Sequence, residues 1–447
     1  MEAVRHEPGL IHGGERKTDS LEKRNIVLYS AGKTISVLGT AMFQFALGLY
    51  VLQLTGSAMS FAVTLVLGIV PYIILHPVAG VLADRGSKKM IVVTMDFVSG
   101  GLLLAMYFVS IAYGLHLLLI YSVTLLLTVC SAFFGVALEA AKPNMVSDAR
   151  LMRLNSISKV IDSISSIAGP MIGGLVFALW DIRAFILFNG VSFLFSGLMM
   201  LFIRFRLFCE DRPKEDAAGE SIRFMREIKA GFRYVFTQNQ LLQLFVVLIS
   251  INFFLGFAIT VPLPYIITTV LRLEAVEFGI IQGAFPVGMI VGALVVQRII
   301  QSLPYGVLLR RLCWGLSVVM IFLGLPVLLQ SLGAFTDASV FSMLCTGFYV
   351  VLMAGAGVII SLIDIPLFYY MQKEIPDEYR GRVLSISLST GKIMLPVAML
   401  ASGFLLPLLP SYVLTAAGGA LFLLATLRTS RNFDLPLGKS AAASTEA

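Results

Sequence analysis

Charged residues are scarce in this chain of 447 residues, since Asp, Glu, Lys and Arg together make up only 13% of it. A soluble protein would need more charge on its surface, whereas 58% of these residues are hydrophobic and the mean hydropathy is +0.90. The apolar residues form long continuous runs, without the short alternating segments that are typical of barrel strands. The composition therefore predicts a membrane protein made of transmembrane helices, each needing about 20 apolar residues.

Several chemical signatures are also missing from the chain. The four cysteines have no paired spacing, so neither a disulfide framework nor a metal site is predicted. The sequence has no GxxxxGKS/T phosphate-binding motif, no HExxH motif and no Ser/His/Asp arrangement, so an ATP-driven pump and an enzyme are both unexpected, and no cofactor is predicted. The net charge of +7 comes from basic residues at the ends of apolar runs, which argues against nucleic-acid binding.

Twelve apolar runs can be counted, at about residues 26–54, 59–83, 90–113, 116–141, 156–180, 183–205, 240–271, 276–301, 305–332, 338–366, 381–408 and 410–428. An even number places both termini on one side of the membrane. All but three of the 33 Lys and Arg residues then lie at or near that side, the exceptions being Lys33, Arg183 and Arg272. Because basic residues favour the cytoplasmic side, both termini are predicted to be cytoplasmic, in a bacterial inner membrane, and no removable signal peptide is expected.

A polar connection divides the twelve runs into two groups of six. The predicted parts are a cytoplasmic tail (1–25), a six-helix bundle (26–205), a cytoplasmic linker (206–239), a second six-helix bundle (240–428) and a second cytoplasmic tail (429–447). Within the linker, SIRFMREIKAGFRYVF places apolar residues on one helical face beside basic residues. This pattern predicts an amphipathic helix on anionic lipids of the inner leaflet, with a plain charged linker as the alternative.

The two halves of the chain echo each other. Three features recur at offsets of 225, 223 and 226 residues, namely Glu139 and Asp364, Pro143 and Pro366, and Pro170 and Pro396. Such agreement predicts a duplicated six-helix unit, an arrangement that places a substrate site between the two halves near the middle of the membrane.

A charged loop, GVLADRGSKKM at residues 80–90, separates the second and third runs. Gly80 is expected to allow close helix packing, and Asp84 to accept hydrogen bonds from a helix amino terminus or to pair with a cation. This loop, the twelve runs and the long central connection resemble the major facilitator superfamily. PVAGVLADR, together with PDEYRGRV, which contains Arg380, Gly381 and Arg382, resembles a branch of drug:proton antiporters that includes bacterial macrolide-efflux proteins and an enterobactin exporter.

The resemblance implies twelve transmembrane helices in two six-helix bundles, working by alternating access. It also implies a conformational latch that locks the outward-open state, made of Gly80, Asp84, Arg85, Lys88 and Glu139. One departure is that Ser87 stands where the family has Gly before the basic pair, which puts the local turn in doubt. The alternative, ordinary positive charge at the inner surface, explains Lys89 but not Asp84.

A second motif, SSIAGPMIGG at residues 165–174, resembles the antiporter motif of the same superfamily, with Ser165 in place of its first Gly. Gly169, Gly173 and Gly174 would let a neighbouring helix approach closely, and Pro170 removes a helical hydrogen bond and favours a kink. The resemblance implies export, whereas ordinary glycine-rich helix packing is the alternative.

Charged residues inside the predicted spans are expensive in hydrocarbon unless they face protein or water. Any of the acids could carry a coupling proton, and the four candidates are Asp96, Glu139, Asp162 and Asp364. The alternative is simple neutralisation by lysines, and for Asp162 the expected partner is Lys159, three residues earlier on the same face. Lys33 has no charged neighbour in sequence, so it needs a partner from another helix or a water-filled cavity, with snorkelling as the alternative.

The sequence thus predicts a secondary transporter that exports hydrophobic or amphipathic small molecules, driven by inward proton flow. The 32 Phe and 19 Met residues suit an apolar cavity that adapts to bulky ligands. A monomer in the lipid bilayer is expected. Uptake of a metabolite or lipid is one alternative, and a non-transporting membrane sensor or assembly partner is another.

Overall fold

The computed structural model describes residues 9–205, 207, 233, 236–302, 305–333, 338–375 and 393–429. Most of the predicted linker and its amphipathic helix lie outside the described residues, as does the second-half loop motif of Arg380, Gly381 and Arg382. Nearly all of the second predicted tail also lies outside them. In the first-half loop, the backbone of Asp84 and Arg85 is described, but their side chains are not.

The first half of the chain is a succession of helices. They are α1 (Gly9–Thr55), α2 (Ala58–Leu67), α3 (Val70–Arg85), α4 (Lys88–Tyr113), α5 (Leu117–Met145), α6 (Asp148–Leu179) and α7 (Ile182–Leu201). The second predicted run is divided between α2 and α3, because the helix is interrupted around Gly68 and Ile69.

The second half is also helical. Its helices are α8 (Asn239–Leu255), α9 (Pro262–Tyr265), α10 (Ala275–Ser302), α11 (Tyr305–Phe322), α12 (Leu325–Ser331), α13 (Ala338–Glu374), α14 (Ile393–Leu405) and α15 (Ser411–Thr429). Two π-helical turns, Gly256–Thr260 and Ile266–Val270, flank α9. The prolines of α9 donate no backbone hydrogen bond, so the regular α-helical ladder is interrupted there.

Ten of the described helical segments are long and apolar enough to cross a membrane, and Ile393–Leu405 and Ser411–Leu427 are shorter apolar helices. The protein is therefore embedded in a membrane through many helices. The number twelve stays a prediction, because part of the eleventh run lies outside the described residues.

Helix α1 begins at Gly9, inside the segment predicted to be a polar tail. Its polar residues there have partners: Asn25 is 1% exposed, and its side-chain amide donates to the carbonyls of Met145 and Arg204, each at 3.0 Å. The backbone amide of Arg204 donates back to Asn25 Oδ1 at 3.0 Å. The first half of α1 is thereby tied to the end of α5 and to the residues that follow α7.

The chain folds into two compact units. Unit 1 comprises Met1–Gln44, Pro71–Gly169 and Trp180–Pro213, and unit 2 comprises Phe45–Val70, Pro170–Leu179 and Lys214–Ala447. The core of unit 1 includes Tyr29, Leu138 and Met200, all fully buried. Unit 2 has a larger core that includes Tyr305 and Tyr349. The domain boundaries proposed from the sequence stay a prediction.

Candidate functional site

A buried lysine joins three helices inside unit 1. Lys33 of α1 donates to Ser158 Oγ at 2.5 Å, to a carboxylate oxygen of Asp162 at 3.0 Å and to Glu139 Oε1 at 3.3 Å. Glu139 lies on α5, and Ser158 and Asp162 lie on α6. Lys33 thus has the partners from other helices that its isolation in sequence required.

A second lysine and a tyrosine complete this network. Lys142 of α5 donates to Glu139 Oε2 at 2.5 Å, and its ammonium lies 6.0 Å from the centre of the Tyr29 ring, within cation–π range. The hydroxyl of Tyr29 lies 3.0 Å from Ser158 Oγ, which in turn lies 3.1 Å from Glu139 Oε1. We call these six residues the charge cluster, namely Tyr29, Lys33, Glu139, Lys142, Ser158 and Asp162.

The charge cluster is built from short helical repeats. Tyr29 and Lys33 are four residues apart on α1, and Ser158 and Asp162 are four apart on α6, while the pair on α5 is three apart. Residues three or four apart lie on one face of a helix. Each helix therefore presents two polar groups toward the same point, and the tertiary packing brings the three faces together.

The cluster is neutral overall but unevenly exposed. It contains two ammoniums and two carboxylates, so each buried cation has an opposite charge beside it. The side chains of Lys33 and Lys142 are only 6% and 3% exposed, whereas those of Glu139 and Asp162 are 50% and 41% exposed. The carboxylates are therefore about half-exposed, while the ammoniums are buried behind them.

One predicted ion pair is wrong. Asp162 was expected to pair with Lys159, but its ion-pair partner among the described residues is Lys33. Lys159 is exposed on the surface of α6. Helical spacing made Lys159 the natural local partner, but Asp162 faces α1 and the buried ammonium of Lys33 is close enough to hold it.

The charged loop between α3 and α4 has a defined backbone. Ser87 is the N-cap of α4, and its side chain accepts a hydrogen bond from the backbone amide of Met90 at 3.4 Å. Serine is a favourable residue for that position, which explains why it replaces glycine there. The displaced Gly86 is also required, since a Cβ on it would lie 2.9 Å from the carbonyl oxygen of Leu82.

The latch predicted for this loop is only partly visible. The side chains of Asp84 and Arg85 lie outside the description, and Glu139 pairs with Lys33 and Lys142 rather than with Lys88 among the described residues. The close packing expected at Gly80 is wrong for this conformation, because a Cβ there would meet no described atom within 4 Å. The latch as a functional device stays a prediction.

The glycine-rich motif of α6 does make close contacts. In unit 1, a Cβ on Gly169 would lie 2.5 Å from the Cβ of Ala41 on α1. In unit 2, a Cβ on Gly174 would lie 2.9 Å from the Cα of Gly279 on α10. Gly173 is buried, and Pro170 lies inside the helix. Gly169 and Gly174 therefore permit close helix packing. The role of this motif in export stays a prediction.

The last two acids singled out in the sequence lie apart from the charge cluster. Asp96 of α4 is 1% exposed and contacts Ser36 of α1 and Ser196 of α7. Asp364 lies partly buried in α13 of unit 2, and the carbonyl of the preceding Ile363 accepts a hydrogen bond from Tyr305.

Several polar residues in these networks were not found from the sequence. Tyr29 and Ser158 in the charge cluster, and Ser36 and Ser196 beside Asp96, looked like ordinary residues of apolar helices. The signal that could have found two of them is spacing, since Tyr29 precedes Lys33 by four residues and Ser158 precedes Asp162 by four.

Comparison with known families decides the identity. A family model described as Major Facilitator Superfamily matches residues 30–399, which is most of the chain. The chain belongs to the Major Facilitator Superfamily. The family predicted from the charged loop is thereby confirmed, and the protein is a membrane-embedded member of this superfamily.

Relatives within the superfamily carry an efflux name. Macrolide efflux protein A of Streptococcus pyogenes is 27% identical over 212 residues, which cover 47% of this chain and 50% of that protein. The protein of the same name from Enterococcus faecalis is 27% identical over 187 residues, covering 41% and 55%. The matches thus span about half the length of these curated relatives.

Solved structures share the fold. A bacterial homologue of the iron transporter ferroportin, solved in an inward-facing state, has a TM-score of 0.65 at 15% identity, covering 92% of this chain and 99% of that one. The nucleoside transporter NupG has a TM-score of 0.62 at 11% identity, covering 93% and 99%. At such identities the likeness concerns the fold alone.

Proposed function

We propose that this superfamily member is a proton-coupled exporter of hydrophobic or amphipathic small molecules that works by alternating access. The observation that carries the proposal is the charge cluster, in which two half-exposed carboxylates hold two buried ammoniums across α1, α5 and α6. Such a group links the gain or loss of a proton to the packing of helices.

The coupling follows from charge balance. When Asp162 takes up a proton, it loses most of its attraction for Lys33, and the ion pair between α6 and α1 is weakened. Lys33 then depends on Glu139, which it shares with Lys142. Because an uncompensated buried ammonium is unfavourable, protonation favours a rearrangement of α1 relative to α6. The partial exposure of both carboxylates gives protons access to them.

The substrate class rests on two supports. The named relatives are macrolide efflux proteins, and macrolides are bulky amphipathic molecules. The composition, rich in Phe and Met, suits an adaptable apolar binding cavity. Both supports favour export of bulky apolar compounds over uptake of a small polar metabolite.

The test is a substrate panel in bacterial cells that lack other exporters. Cells producing the protein should accumulate less of at least one macrolide or amphipathic compound than control cells, and a proton uncoupler should abolish the difference. Purified protein in proteoliposomes should then move that compound only under an imposed proton gradient. No flux of any candidate under such a gradient would contradict the proposal, and flux that survives the uncoupler would contradict proton coupling.

The matched variants are Lys33→Gln and Lys159→Gln. The first removes the buried cation of the charge cluster, while the second removes an exposed lysine of α6. Proton-driven transport should fall in the Lys33 variant and persist in the Lys159 variant. If proton-driven transport falls equally in both variants, or persists in both, the charge cluster does not carry the coupling.

A further inference from the structure

Asp96 sits at the crossing of three helices in unit 1, in a network of five oxygen atoms, two of its own and three from its neighbours. Ser36 Oγ lies 2.8 Å from Asp96 Oδ1, and Ser196 Oγ lies 2.6 Å from Asp96 Oδ2. The two hydroxyl oxygens are 2.9 Å apart, and Ser196 Oγ is also 3.0 Å from the carbonyl oxygen of Gly32. All four contacts have hydrogen-bond length.

In the part of the chain that the structure describes, Asp96 has no compensating cation. Among the described residues, no Lys, Arg or His lies within ion-pair distance of its carboxyl group. Lys33 follows Gly32 on α1, but its ammonium is engaged by Glu139 and Asp162. A buried carboxylate in hydrocarbon without a cation is strongly disfavoured.

The protons available in the network can be counted. With an ionised Asp96, the two serine hydroxyls supply two protons for four contacts, and both must point at the carboxylate. The contact between Ser196 and the Gly32 carbonyl would then hold no proton, so two acceptor oxygens would face each other at 3.0 Å.

A proton on Asp96 removes this conflict at the Gly32 carbonyl, because three protons then serve the four contacts and only the contact between the two serine hydroxyls holds none. Asp96 Oδ2 then donates to Ser196 Oγ, Ser196 donates to the Gly32 carbonyl, and Ser36 donates to Asp96 Oδ1. Every proton has an acceptor, and the chain of bonds runs in one direction from α4 through α7 to α1. A directed chain of this kind is stabilised further because each bond polarises the next.

The packing around Asp96 leaves the carboxyl group enclosed. A Cβ on Gly197 of α7 would lie 3.3 Å from the Cβ of Asp96, and one on Gly100 of α4 would lie 3.0 Å from the carbonyl oxygen of Gly190 on α7. Helices α4 and α7 therefore meet closely on both sides of the network. Among the described residues, the other titratable group that interacts electrostatically with Asp96 is Cys130 of α5, which is also buried.

We propose that Asp96 keeps its proton throughout the transport cycle and acts as a neutral positioning residue that joins α1, α4 and α7. Proton coupling then belongs to the half-exposed carboxylates of the charge cluster, and this second part of the inference rests on the proposed function. The sequence placed Asp96 and Asp162 together as candidate proton carriers, and their surroundings separate them: one is enclosed by hydroxyl groups, and the other is half-exposed beside an ammonium.

The experiment measures protonation directly, by infrared difference spectroscopy of the purified full-length protein against its Asp96→Asn variant. A protonated carboxyl group has a carbonyl stretching band that a carboxylate lacks. The wild-type protein should show this band, Asp96→Asn should lose it, and its intensity should stay constant from mildly acidic to mildly alkaline pH. The control variant Asp162→Asn should keep it. Absence of the band, or a band that titrates across this range, would overturn the proposal.

Stability and transport supply the second readout. Asparagine can donate to Ser196 and accept from Ser36, as a protonated aspartic acid does, so Asp96→Asn should keep the wild-type thermal midpoint and the wild-type pH profile of transport. Asp96→Ala leaves both buried serines without that partner and should lower the midpoint. Loss of proton coupling in a stably folded Asp96→Asn protein would assign coupling to Asp96 instead. If no substrate is transported at all, the infrared result still decides the protonation state.

Discussion

At the scale of single residues, a charge in the membrane is informative only through what surrounds it. Lys33 and Lys159 are both lysines of predicted spans, yet one is buried against two carboxylates and the other is exposed. Removing one member of a buried pair is destabilising because the remaining charges lose their compensation. The charge cluster should therefore respond to its net charge more than to the identity of any one side chain.

This reasoning predicts a charge rescue. Lys33→Met should lower the thermal stability by about 1–3 kcal/mol, because Asp162 loses its partner and the buried cluster becomes net negative. The double variant Lys33→Met with Asp162→Asn restores neutrality and should regain part of that loss. Thermal unfolding of the purified proteins in detergent measures both effects. A double variant less stable than Lys33→Met alone would contradict the role of charge balance.

At the scale of helices, close approach depends on positions that tolerate no side chain. Gly169 of α6 lies against Ala41 of α1, and the two helices share the charge cluster about two to three turns away. In contrast, Gly101 of α4 has open space where a Cβ would be. Glycines that look alike in the sequence therefore differ in whether the fold has room for a side chain.

Gly169→Ala and Gly101→Ala form a matched pair. The first places a Cβ 2.5 Å from that of Ala41, so α1 and α6 must move apart, and overpacking of this kind costs about 1–3 kcal/mol. The second should be neutral or slightly stabilising, because alanine favours helix. The thermal midpoints and the amount of folded protein in the membrane measure the difference. Similar midpoints for the two variants would contradict the prediction, because they would show that α1 and α6 can move apart at little cost in stability.

Asn25, in the first half of α1, gives a second prediction at this scale. Asn25→Ala removes three hydrogen bonds that tie α1 to the end of α5 and to the residues after α7, and it leaves the buried carbonyl of Met145 without that partner. We expect a loss of about 1–3 kcal/mol in stability. Lys23→Ala, two residues earlier, breaks an exposed pair with Asp19 and should change stability much less. An equal response of the two variants in thermal unfolding would argue against the docking of α1.

At the scale of the whole molecule, the resemblance of the charged loop to its superfamily leads to a prediction about the transport cycle. Asp84→Asn should weaken the outward-open state and impair transport while leaving membrane insertion intact. Asp148→Asn, which changes an exposed acid in the first turn of α6, is the control. Transport per folded protein measures the effect, and normal transport by the Asp84 variant at normal expression would contradict the latch.

Much of the molecule could be predicted because its information is local. Long apolar runs must form helices in a membrane, since only there are the backbone groups satisfied within each segment. The charged loop placed the chain in its superfamily through a few adjacent residues. Interruptions of helices were less predictable: the break near Gly68 and the two π-helical turns around α9 lie within continuous apolar sequence.

The amino-acid sequence by itself determined that this is a helical membrane protein of the Major Facilitator Superfamily, because hydropathy and short motifs act along the chain. Only the tertiary structure decided which charges meet. Lys33 and Asp162 are 129 residues apart, and Asp96 finds Ser196 at a distance of 100 residues. Helical spacing in the sequence does not reveal such pairs, because the packing of helices, and not the neighbours in sequence, determines which groups a buried polar side chain contacts.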